Sequence, residues 1–106
     1  MSYKWPSKDS NEELDYNIDW SRLLRTGETI TAAVWYVNDE SGVKQAFTPP
    51  MTVNGLTAVD ASNSGTVATI QLGNGTTNLT YKLYCSINTS TGATLERSVT
   101  ISIKER

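Results

Sequence analysis

"LTYKLYCSINTSTGATLERSVTISI", residues 79–103, decides the fold. In its first half Leu79, Tyr81, Leu83, Cys85 and Ile87 alternate with Thr80, Lys82, Tyr84 and Ser86. A period of two places the first set on one face of a strand and the second on the other. The second half repeats the scheme. Leu95, Arg97, Val99, Ile101 and Ile103 share a face opposite Glu96, Ser98, Thr100 and Ser102. Between the halves "NTSTGA" supplies turn chemistry, with Gly92 suited to a positive φ. The stretch reads as an antiparallel hairpin with one face buried and one wet.

The same grammar runs upstream. "TVATIQL" (66–72) alternates, with Ala68, Ile70 and Leu72 set against Val67 and Thr69. Asn54-Gly55 is a turn signal between short β-prone runs. "NDESG" (38–42) and "ASNSG" (61–65) are polar turns. Pro49-Pro50 removes two backbone donors, so "VKQAFTPPMTV" (43–53) is a loop or a sheet edge. "ETITAAVWYV" (28–37) is a strand, with Ile30, Ala32, Val34 and Tyr36 on one face and Trp35 and Val37 on the other. "LDYNIDWSRLL" (14–24) begins as a strand and then turns. About seven short strands between turn signals predict an all-β, Ig-like or fibronectin-like antiparallel β-sandwich over residues 14–106. A small barrel is the alternative. Residues 1–13 lack periodicity and predict an extended N-terminal arm, loose alone or tied down by a partner.

The chain has 106 residues and a net charge of −2, enough for one domain. A chain of this size buries roughly 65% of its unfolded surface, one modest core. The few Lys and Arg are scattered, which argues against nucleic acid as a partner. No apolar run reaches membrane-spanning length, and the polar N-terminus predicts no secretory leader. The lone Cys85 excludes an intrachain disulfide and sits at a core position. There is no histidine to activate it as a nucleophile.

Asp15, Asn17 and Asp19 have the spacing that opens a calcium loop, but Trp20 and Thr26 stand where that loop needs glycine and glutamate. Glu12-Glu13, Asp39-Glu40 and Asp15/Asp19 are carboxylate pairs without a cleft for glycoside chemistry. The expectation is therefore no catalytic residue, no metal, no cofactor and no enzyme activity. Arg97 shares a face with core residues, so it must be paired, snorkel or lie at the rim. Asp15 or Asp19 is a candidate partner, and an exposed Arg97 is the simpler reading. Glu96 points the other way. Three sequons (at Asn74, Asn78 and Asn88) are expected by chance in a Thr/Ser-rich chain. Trp35 reads as structural, and Tyr16 and Trp20 as facing their own core. Tyr3, Trp5, Pro6, Glu12 and Glu13 of the arm are the partner-binding candidates, with exposed aromatics as anchors.

The order of Asp15-Tyr16, Asp19-Trp20-Ser21, Gly27-Glu28-Thr29-Ile30 and, after Gly92, Glu96-Arg97-Ser98 resembles the fiber–tail adaptor or neck proteins of tailed bacteriophages. The likeness runs over roughly residues 14–103. It implies an Ig-like structural part of the virion, made in the bacterial host cytoplasm and assembled in many copies as a ring. The implied partners are connector, tail and fiber proteins, and other copies of the chain. A capsid decoration or cementing protein is the alternative, followed by a host-surface carbohydrate-binding module.

Overall fold

The computed structural model describes residues 2–104, with side chains from Lys4 onward. It contains nine strands: Ser2–Lys4 (β1), Leu14–Asp19 (β2), Ile30–Asn38 (β3), Lys44–Ala46 (β4), Met51–Val53 (β5), Leu56–Ser64 (β6), Val67–Asn74 (β7), Thr80–Thr89 (β8) and Thr94–Ser102 (β9). One sheet has the order β1-β9-β8-β3-β4 and the other β2-β7-β6-β5. They pack face to face as an all-β sandwich. Between these strands all pairings are antiparallel except β1 with β9, which a parallel bridge between Lys8 and Ile103 extends.

The 79–103 hairpin is the centre of the first sheet. Tyr81, Leu83, Cys85 and Ile87 of β8, Val99 and Ile101 of β9 and Ile103 just past it are buried, as the alternation predicts. Leu79 is an exception: it precedes β8 and is 37% exposed. From the second sheet Tyr16, Ile18, Leu56, Ala58, Ala68, Ile70 and Leu72 face this layer. The proline-bearing stretch is an edge twice over. β4 borders the first sheet and β5 the second, and residues 47–50 carry the chain between them.

The face assignment of β3 is corrected by a bulge. Strict alternation opposes Ile30 to Trp35 and Val37, yet all three are buried. The register shifts between Ile30 and Ala32, and the extra residue turns Ile30 inward. Ala32, Val34 and Tyr36 are left on the outer face.

The expectation of a loose arm over residues 1–13 is corrected as well. β1 lies parallel to β9, and beyond it Trp5 N–H donates to Thr100 C=O and Lys8 N–H to Ser102 C=O. Trp5 stacks on Tyr16 with ring centroids 4.8 Å apart and tilts against Trp35 at 5.9 Å. The segment has few apolar residues, but a tryptophan inserted between the sheets helps to anchor it.

Candidate functional site

The acidic β2 segment is a clamp of the fold. Tyr16, Ile18 and Trp20 point inward, while Asp15, Asn17 and Asp19 point outward from the second sheet. Asp19 Oδ1 accepts the Ser21 N–H at 2.9 Å and the Thr66 hydroxyl at 3.4 Å, which turns the chain out of β2. Ser21, then Thr66 and the charge of Arg22, hold this carboxyl below its ordinary range. Arg97 sits opposite Cys85 on the first sheet, half-buried at its rim. Asp15 and Asp19 face away on the outside of the other sheet, so the pairing considered for Arg97 does not form. Among the described residues no group of three or more acidic, Cys or His side chains is placed to hold a metal ion.

Glu28 was absent from the candidate residues and proves central. It is buried, and Oε2 accepts the hydroxyls of Thr89 at 2.5 Å and of Thr91. Oε1 accepts the Arg25 N–H at 2.8 Å. These bonds, Thr89 first, lower its pKa from 4.5 to about 2. Ser90 and Thr29 add a reciprocal pair, Ser90 N–H to Thr29 C=O at 2.8 Å and Thr29 N–H to Ser90 Oγ at 3.0 Å. The Gly-Glu-Thr-Ile stretch thus fixes the loop between β8 and β9. The sequence signal was a carboxylate at a strand start and a Thr-rich hairpin loop more than sixty residues away, and nothing local joins them.

Of the arm candidates, Trp5 is only 8% exposed and belongs to the core, which corrects its reading as an exposed anchor. The Tyr3 side chain lies outside the described residues. Pro6 and Glu13 are exposed and Glu12 is half-buried. Lys8, not singled out in the sequence, is fully buried. Its Nζ donates to Asp9 C=O at 2.7 Å and to Asn74 C=O at 2.6 Å. Burial lowers its pKa, and the charges of Glu12, Asp9 and Glu13 oppose that shift. Glu12 Oε1 also accepts the Asp9 N–H at 3.1 Å.

The outer face of the first sheet is the surface best furnished for contact. Tyr36 and Tyr84 are cross-strand partners. Lys44 Nζ lies 4.6 Å from both ring centroids and pairs with Glu96 at 3.1 Å. Lys82 covers the Tyr84 ring at 5.4 Å. Val34 beside them is 41% exposed. Such exposed ion pairs add little stability, whereas exposed tyrosines inside a charged border match the aromatic centre and polar rim of protein interfaces.

No curated protein matches the chain. A family model does match, described as "Podophage GP4 fiber-tail adaptor protein gp77", and it covers residues 8–102. That span takes in every strand but β1, including the Asp19 corner, the Glu28 brace and the Tyr36/Tyr84 face. The chain therefore belongs to this family of bacteriophage fiber–tail adaptor proteins.

Proposed function

We propose that the chain is a structural, non-enzymatic joint in the neck and tail region of the virion. It is made in the host cytoplasm and assembled in several copies as a ring that links tail or connector proteins to fibers. The observation that carries this reading is the match to the fiber–tail adaptor family over residues 8–102. The chemistry of the surface supports it. Val34, Tyr36 and Tyr84 form an aromatic and aliphatic patch bordered by Lys44, Lys82 and Glu96. On docking, such a patch loses water from large rigid rings at low entropic cost. Pro6, Glu12 and Glu13 of the N-terminal segment are a second, separate contact region in this reading.

Reconstruction of the particle, with immunogold labelling of the chain, tests the proposal. Density in a ring at the neck or tail, next to the fiber bases, is the expected result. Labelling spread over the capsid lattice would instead make the chain a decoration protein and overturn the adaptor reading.

A further inference from the structure

One flank of the sandwich is missing strand. β4 pairs with β3 only at Tyr36–Asn38, and β5 pairs with β6 only at Leu56–Ala58. Beyond these short covers the outer edges of β3 and β6 run side by side, bonded to no strand among the described residues. Phe47 N–H donates to Trp35 C=O at 3.0 Å as the last rung on that side. In an antiparallel strand alternate residues direct both backbone groups to the same edge. The N–H and C=O of Ala33 therefore point out of the open edge, one rung past Phe47. On the facing edge the Ala61 N–H is capped by the Asp60 carboxylate at 2.9 Å, in place of a ladder partner.

The gap between the edges is closed at both ends. At one, Ile30 N–H donates to Gly65 C=O at 2.9 Å and Asn63 Nδ2 to Ile30 C=O at 3.4 Å. At the other, the crossover of residues 47–50 spans the sheets. Between them lies a cleft of about 340 Å³ lined by Ala33, Trp35, Phe47, Pro49, Asp60 and Ala61. Trp35, whose buried indole N–H has no acceptor among the described residues, is part of this lining. Exposed strand edges are normally blunted by charge or proline. The stretch Thr31–Trp35 carries neither.

We propose that this edge is a strand-addition site that takes an extended segment of another virion polypeptide, a fiber or tail protein. The inference rests on the adaptor reading. The free groups of Ala33 demand an extended backbone, since the main-chain groups along a helix are already bonded to one another. Thr31 to Val34, short of the rung already taken at Trp35, gives room for a segment of about four residues at roughly 3.3 Å each. The small side chains of Ala33 and Ala61 leave space for the inward residue. Asp60 lines the cleft, with Asp15 in the adjoining depression, and favours a segment that directs Lys or Arg toward the edge of the second sheet.

Amide hydrogen exchange of the wild-type chain, isolated and in purified particles, is the test, together with particles carrying Ala33→Pro. Proline removes only a donor that the sandwich does not use, so the isolated variant should melt as the wild type does. The expected results are at least tenfold slower exchange at Ala33 in the particle and at least tenfold fewer fiber-bearing particles with Ala33→Pro. If the chain is in the particle but Ala33 exchanges as fast as in isolation, strand addition is wrong and the adaptor reading stands. If the chain is absent from particles, both fall. Self-association of the isolated protein that protects Ala33 would make the occupant a second copy and would also overturn the proposal. If Ala33→Pro proves unfolded, the wild-type exchange comparison decides alone.

Discussion

A single carboxylate, Glu28, makes the most strongly shifted contribution to acid sensitivity among the described carboxylates. Glu28 ionises at about 2 in the folded chain, against an ordinary value of 4.5, because Thr89, Thr91 and the Arg25 N–H all donate to it. Its contribution is complete above about pH 4.5, where both folded and unfolded chains carry the charge. As pH falls the unfolded chain takes up a proton first, so stability declines and the contribution is gone below about pH 2. Glu28→Gln is expected to lower Tm at pH 7 and to flatten its fall between pH 5 and 2. Thermal melts of both proteins across that range check the sign. This residue was illegible in the sequence because its partners are reached only through the folded hairpin. Trp20 and Tyr16 were legible, since alternation with Asp15, Asn17 and Asp19 fixes their face before any fold is known.

Among the elements, the N-terminal segment departs furthest from its expected role. Its sequence is polar and aperiodic, which is how a free arm reads. The structure joins it to β9 through backbone bonds, and those bonds leave no signature in side-chain pattern. Two side chains then lock it, Trp5 in the core and Lys8 on two carbonyls. Trp5→Ala is expected to cost about 3–5 kcal/mol, the range for emptying a large aromatic site. Removing residues 1–13 should remove the cooperative urea transition or shift it to much lower denaturant; a truncated chain as stable as the full one would return the segment to the status of an arm. The strands themselves were legible wherever one face is buried and one is wet, as in β2, β7, β8 and β9. Bulges were not legible. The shift at Ile30–Ala32 is fixed by pairing with β8, and no residue in β3 announces it.

At the scale of the whole molecule the core is one continuous layer between two sheets, and Cys85 reports on its integrity. Burial, followed by the charge of Glu96, raises the thiol to about 12. At pH 8 the native protein should therefore resist a thiol-specific reagent, and labelling should appear together with the denaturant transition. Fast native labelling would show that the β8 face opens locally. The parallel pairing of the first strand with the last has a mechanical consequence. The described chain enters beside Ser98 and leaves at Lys104, past the far end of the same ladder. A tensile load between the two ends would pull β1 and β9 in opposite directions along their length. The bonds at Trp5, Lys8 and Lys104 would then bear that load together in shear and could not be peeled apart one by one. A joint between a tail and its fibers, loaded through its termini, would be built to hold under strain.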